Sequence, residues 1–449
     1  MDVERVKKKV LEEYAPSDEE LEELNSLYLE IKEFIEEHYD VETQFAGSAS
    51  RGTCMTADKD IDIFILFPDS LSNDELEGKG FRVGKKVFEQ FNADYNVEYA
   101  EHPYTKGEVN GHEVEIVPCY DVEAGQVESS VDRTPHHTEW VQNNLDEEQR
   151  KDVIVLKAFL KNAGIYGSSL KTRGLSGYLC EVLIGHYRSF EDLIENASSW
   201  KEEELIDPEE HHEELPEQLK EKFENESLRV IDPVDPDRNV ASVLSKENYS
   251  RFVYQAIQFD ERPGMEFFRQ EERDVSEFEL DQELERHSHF LVMDFETPQE
   301  VDDIVYPQMR KTLRAITRLI EEHDFRIYDQ GFFVGDRAKL FFELDPRVPK
   351  IEYVQGPKVF HGRNHLREFK SKYDNTFVEE DRLKAKTERE FTDVKDLLNE
   401  KLEEPKKIGV PERIAEKIMN FTFQEPLKGD SEWLKHLAKE LHYRGDTDG

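Results

Sequence analysis

The stretch FAGSASRGTCMTADKDIDIFILF, residues 45–67, constrains this chain more than any other. It reads as strand, tight turn, helix start and acidic strand, in that order. Gly47 supplies a sharp turn that lets the backbone approach a ligand closely. Ser48 then sits where a helix begins. A helix N-terminus offers free N–H groups and a partial positive charge to a phosphate, with Ser48 as a side-chain donor and Arg51 nearby. Further on, Asp60-Ile61-Asp62-Ile63-Phe64-Ile65 alternates, so Asp60 and Asp62 share one face of a strand and Ile61, Ile63 and Ile65 the core face. Two carboxylates roughly 7 Å apart along a strand can share hard divalent cations. Taken singly, a Gly-Ser turn is an ordinary capped helix and an Asp-x-Asp pair an ordinary strand end.

Together and in this order, Gly47, Ser48 and the pair Asp60/Asp62 resemble the signature of the nucleotidyltransferase superfamily that includes DNA polymerase beta. The resemblance implies a third acidic residue on a neighbouring strand. The sequence HEVEIVPCY supplies one by alternation: Glu113, Glu115 and Val117 face one way, Val114 and Ile116 the other. Glu115 is the candidate, against the plainer reading of an edge-strand glutamate facing water. The superfamily often has Asp there, so the extra methylene bears on the metal position.

Composition sets the outer limits. At 449 residues there is room for two to four domains. No run approaches the roughly 18 apolar residues of a membrane span, and the N-terminus is charged and amphipathic, so a soluble intracellular protein is expected. Cys54, Cys119 and Cys180 follow no CxxC spacing and suggest neither disulfides nor zinc. The charge runs against a nucleic-acid enzyme: 59 Lys and Arg against 102 Asp and Glu leave −43. The acid is spread along the whole chain while apolar periodicity persists, which points to adaptation to high salt rather than to disorder.

In chain order, residues 1–40 read as helices broken at Pro16, with Ser17 and Glu20 forming a capping box. A helix over Phe81–Phe91 precedes strands around Tyr95–His102 and Glu113–Pro118. Residues 145–187 read as two helices, the first carrying Lys157 beside the stripe Val153, Leu156 and Leu160. The acidic stretch from Glu191 to Glu226, with His211-His212, reads as an exposed insertion. In VIDPVDPDRNVASVLS a Pro-rich loop projects Arg238 ahead of a helix capped by Asn239. From His289 the order strand, helix, strand, strand suggests a ferredoxin- or RRM-like domain without RRM aromatic motifs. Between Lys350 and Lys372 the local charge reverses, and Lys358, Arg363, Arg367 and Lys370, with interleaved aromatics, are the best RNA-contact candidates outside the acidic site.

A narrower resemblance rests on GSASRGT, DKDIDIF, GHEVEIVPCY, VDRTPHHTEWV, YGSSLKTRGLSGYLCEVLIGHY and VIDPVDPDRNV. These runs look like the archaeal, class I CCA-adding enzymes, strongly over residues 40–245 and more loosely through YVQGPKVFHGRNHL. The resemblance implies an α+β multidomain fold: a polymerase-beta-like catalytic nucleotidyltransferase domain (1–144), a helical central domain contacting nucleotide and base (145–260), and body and tail domains binding tRNA (261–449). It implies template-independent addition of C, C and A to tRNA from CTP and ATP, in the cytoplasm, with a homodimer as a compatible assembly. Asp60, Asp62 and Glu115 would hold two Mg2+ ions. Gly47, Ser48 and Arg51 would hold phosphates, Lys157, Tyr166 and one of His136 or His137, preferably His137, would close the triphosphate pocket, and Arg238 would read the base. The rivals are a poly(A) polymerase or other RNA-tailing transferase, and a non-catalytic RNA-binding protein on the same fold.

Overall fold

Ile61, Ile63 and Ile65 are fully buried, each contributing roughly 1.5–3 kcal/mol, and the strand they define is the centre of the first half of the molecule. The computed structural model describes residues 2–99, 102–123, 129–269, 277–285 and 287–443. The chain divides into two units, Met1–Glu271 and Glu272–Gly449.

The first unit contains a five-stranded sheet of β1 (Glu42–Ala46), β2 (Ile61–Pro68), β3 (Tyr95–Tyr99), β4 (Pro103–Val109) and β5 (His112–Asp121), in the order β1-β2-β5-β4-β3. β2 and β5 are parallel, and the remaining pairs antiparallel. Helices Asp18–His38 and Asn73–Gln90 cover the face of Ile61, Ile63, Ile65, Val114 and Ile116. Ser17 and Glu20 form the expected capping box. The second helix starts earlier than expected because Ser72 caps it, its N–H and Oγ both donating to Glu75. On the opposite face Ala46, Phe64, Val117 and Cys119 pack with Val131 in a small apolar cluster.

Three other details depart from the sequence reading. Within Tyr95–His102 the described strand is β3, Tyr95–Tyr99, which pairs with a further strand, β4, and β4 turns into β5 through Asn110-Gly111, both at positive φ (53° and 83°). That is the conformation a tight hairpin demands of Asn-Gly. The acidic stretch is not merely an insertion: it carries helices Phe190–Ala197 and Glu217–Lys222, and it buries Leu193, Ile206, Leu219 and Phe223. Asn239 caps no helix. Its amide ties down Val230, Ala241 and Leu228 at the end of a hairpin, Leu228–Asp232 with Asp235–Asn239, and Ser245 caps the next helix, Lys246–Glu261.

The N-terminal helix Val3–Tyr14 packs with the central helices rather than on the sheet. Val6 and Val10 share a core with Val153, Leu156 and Phe159, and Lys7 pairs with Asp152 at 2.6 Å. In the second unit, strands His289–Glu296, Ile327–Phe333, Arg337–Leu344 and Thr422–Gln424 form an antiparallel sheet. In space the order is second, third, first, last, the ferredoxin-like arrangement expected from strand-helix-strand-strand. A smaller three-stranded sheet (Ile351–Lys358, Thr376–Glu379, Arg382–Glu388) carries helix Arg363–Lys372. The protein is thus a mixed α+β, multidomain chain.

Candidate active site

β1 ends at Ala46, and Gly47 follows with φ +71°, a value that costs glycine nothing. A Cβ on Gly47 would lie 1.8 Å from Asp62 Oδ2. The turn is therefore pressed against the carboxylate, and glycine is required for both reasons. Ser48 follows in the short helix Gly47–Arg51.

Strand register sets the rest of the row. Ala46 lies opposite Asp62, Asp62 opposite Glu115, and Glu115 opposite Lys106. Adjacent strands are about 4.8 Å apart, so these residues form one line across the sheet. Asp60 lies just outside, one residue before β2 begins. Lys106 Nζ bridges Glu113 and Glu115 at 2.5 and 2.9 Å. Burial, followed by the charges of Glu115 and Asp60, pushes the Asp62 carboxyl up to about 7. Asp60 and Glu115 are raised as well, each chiefly by burial, with Lys106 opposing the shift in both. Crowded carboxylates that resist ionisation are short of positive charge.

Behind the turn lies a buried polar nest. Lys157 is 2% exposed and does not reach water; its ammonium donates to the Thr53 carbonyl at 2.8 Å. Thr53 Oγ1 donates to Glu181, which is fully buried, and Arg51 Nε stands 3.2 Å from the same carboxylate. Arg51 is thus part of the wall, paired with Glu181. The Tyr166 hydroxyl and Lys157 Nζ flank Gly177: a Cβ there would stand 3.1 and 3.5 Å from them. Burial lowers the Lys157 amine from its usual range.

A third group centres on Asp232, fully buried at the end of its strand. His137 stacks on Tyr178 with ring centres 3.7 Å apart, and its Nε2 is 3.0 Å from Asp232 Oδ2. Arg238 donates to the same oxygen at 2.6 Å, and Tyr178 to Oδ1 at 3.1 Å. Burial alone would raise the Asp232 carboxyl, but His137, the Val234 N–H and Arg238 outweigh it and hold it at about 2. His136 points elsewhere, bonding the Val122 carbonyl at 2.9 Å.

Three family models match successive parts of the chain: "Nucleotidyltransferase domain" over 5–137, "tRNA nucleotidyltransferase, second domain" over 151–269, and "CCA-adding enzyme, C-terminal domain" over 286–421. The CCA-adding enzyme of Methanocaldococcus jannaschii is 40% identical over 410 residues, spanning 89% of this chain and 90% of that one. The chain belongs to the CCA-adding enzyme family. The CCA-adding enzyme of Methanosarcina mazei is 35% identical over 417 residues, with 89% of each chain covered. Among solved structures, the Cid1 poly(U) polymerase is similar at TM-score 0.47 and 13% identity, over 57% of this chain and 92% of that one.

Membership makes the chain a nucleotidyltransferase, a family that uses a divalent metal. The donor set fits a hard cation: oxygen donors from carboxylates on one face, raised chiefly by burial and further by their neighbouring charges. As the side chains stand, however, no group of three or more His, Cys, Asp or Glu among the described residues is arranged to hold an ion. Glu115 is engaged by Lys106.

Sequence reasoning missed Lys106, Glu181, Tyr178 and Asp232. Glu181 had a signal, as the lone charge in the run Gly177–Gly185. Asp232 and Tyr178 had none, since their roles come from contacts distant in sequence. In the second unit, Arg363, Arg367 and Lys370 are exposed on helix Arg363–Lys372, beside Phe360 at 87% exposure. Lys358 pairs with Asp381 at 2.8 Å.

Proposed function

We propose that this chain extends the 3′ end of tRNA by C, C and A, taking CTP and ATP and releasing pyrophosphate. The observation that carries the reading is the row Gly47 turn, Asp62 and Glu115, in a chain that CCA-adding enzymes match almost from end to end. Asp60, Asp62 and Glu115 would hold two Mg2+ ions. Bound there, the ions supply Lewis acidity to the primer hydroxyl and the leaving pyrophosphate. Asp62 is kept in position by the Gly47 backbone pressed against it. Ser48 and the turn would meet phosphate oxygens, with Arg51, Lys157 and Tyr166 lending positive potential and donors from the wall. Asp232 clamps one edge of the Arg238 guanidinium, which leaves its other donors to address both cytosine and adenine. His137, whose ring burial pushes below its usual range while Asp232 opposes the shift, would line the same pocket. Arg363, Arg367, Lys370 and, once freed from Asp381, Lys358 would follow the tRNA backbone.

The division into catalytic, central, and body-and-tail domains, a cytoplasmic location, a homodimer and a high-salt habitat belong to the same proposal. Among the described residues no helix is long and apolar enough to cross a membrane.

The test is extension of a tRNA that lacks its 3′ terminus, with each nucleoside triphosphate in turn. Growth should stop after C, C and A; continued tailing with one nucleotide would move the assignment to an RNA-tailing polymerase. Asp62→Ala should abolish incorporation and pyrophosphate release while tRNA binding survives. Substantial CMP transfer by that variant would sink the mechanism, and no metal-dependent pyrophosphate release by the unaltered protein would favour a non-catalytic RNA binder.

A further inference from the structure

Lys106 occupies the middle of the acidic face, although the proposed chemistry gives it no task. Its ammonium holds Glu113 and Glu115 together, and register places it directly across from Glu115. Both partners are largely shielded from water: the side chains of Lys106 and Glu115 are 25% and 20% exposed. Asp60, Asp62, Glu113 and Glu115 would otherwise crowd negative charge into a partly buried space, and unpaired buried charge is costly. Lys106 supplies the missing cation from within the sheet. In that arrangement Glu115 does not converge with Asp60 and Asp62 on a common point. The glutamate's extra methylene, relative to aspartate, gives its carboxylate reach to more than one partner.

We propose that Lys106 is a resident counter-cation of the third carboxylate, and that a divalent ion enlists Glu115 by displacing the Lys106 ammonium from it. This rests on the reading of Asp60, Asp62 and Glu115 as metal ligands. It makes Lys106 a positioning residue that sets how tightly the site takes its ion: the acidic face stays neutralised without metal, at the expense of competition when metal arrives. An ammonium bound to one ligand is a competitor whose removal strengthens ion binding.

The experiment measures Mn2+ binding to the full-length protein by paramagnetic resonance, without nucleotide or tRNA. Lys106→Met keeps the aliphatic stem and removes the charge. A partly exposed pair contributes up to about 1 kcal/mol, so Mn2+ binding should tighten about three- to fivefold in this variant. In a Glu115→Gln background the same substitution should change binding little, because no carboxylate remains to be released. Unchanged or weaker binding in Lys106→Met, or equal tightening in the Glu115→Gln background, overturns the proposal; equal tightening would mean a diffuse field effect. A measurement on the unaltered protein guards against misfolded variants. Acylation of Lys106 by acetic anhydride, mapped by peptide mass, should rise when Ca2+ is added, while other lysines serve as internal controls. Lack of any rise also overturns it. Failure of the underlying ligand reading looks different: Mn2+ binding would then be undiminished in Asp62→Asn, whatever Lys106 does.

Discussion

Gly47 shows how much one residue without a side chain can decide. Its positive φ costs an L-residue on the order of 1 kcal/mol, and a Cβ would collide with Asp62 Oδ2, so Gly47→Ala must move either the turn or the carboxylate. A shift of about 1 Å in a catalytic group costs about 100-fold in rate. We expect Gly47→Ala to stay folded, with thermal stability lowered modestly, while CMP incorporation falls by about 100-fold or more. Near-normal incorporation would mean the turn has no part in placing Asp62. At this scale Gly47, Asp60 and Asp62 were legible from local order and alternation. Lys157 was legible only as a residue beside an apolar stripe. Its burial against Thr53 depends on a segment far away in sequence, which no local pattern encodes.

Among elements, capping and alternation made the N-terminal helices and the acidic strand readable, whereas β4 was lost because its polar residues carry no clean alternation. The Asn110-Gly111 pair was the overlooked signal. It closes the hairpin that brings Lys106 across from Glu115. The last described helix, Ser431–Tyr443, yields a pH prediction. His436 packs against Phe333, Phe341 and Trp433, and burial, helped by Lys439, lowers its pKa to about 4, while the Phe332 carbonyl opposes the shift and Glu440 stands 3.9 Å away. The folded state thus prefers the neutral ring, and the unfolded chain takes up a proton near pH 6.5. Stability from this site is intact above about pH 6.5 and is lost as pH falls toward 4, amounting to about 2 kcal/mol by pH 5. Urea unfolding of the second unit should therefore weaken between pH 7 and 5, and His436→Phe should remove most of that slope. A slope unaltered by the substitution would assign the acid sensitivity to other groups.

For the whole molecule, the net charge of −43 is the property with the widest reach. At about 0.1 M salt the screening length is about 10 Å and the acidic surface repels itself; above about 1 M it shrinks to about 3 Å. We expect circular dichroism and CCA addition to be retained above about 1 M salt and to be lost toward 0.1 M. Equal fold and activity at both would mean the acid serves another purpose. In such salt phosphate contacts would weaken too, and under the proposed function the exposed cations on helix Arg363–Lys372 would meet tRNA in screened conditions. By itself the sequence determined the family, through the resemblance of its motifs, and the nucleotidyltransferase turn with its acidic strand, the α+β class and the strand-helix-strand-strand run of the second unit, through local order and alternation; it left the fourth strand of that sheet, Thr422–Gln424, unread. Only the tertiary structure decided that Lys106 faces Glu115, that Arg51 and Lys157 share a buried nest with Thr53 and Glu181, and that Asp232 gathers His137, Tyr178 and Arg238. Apart from the hairpin contact of Lys106 and the short-range Asp232–Arg238 pair, those contacts join segments far apart in the chain, and strand register and burial, which arise only when the chain closes on itself, choose their partners.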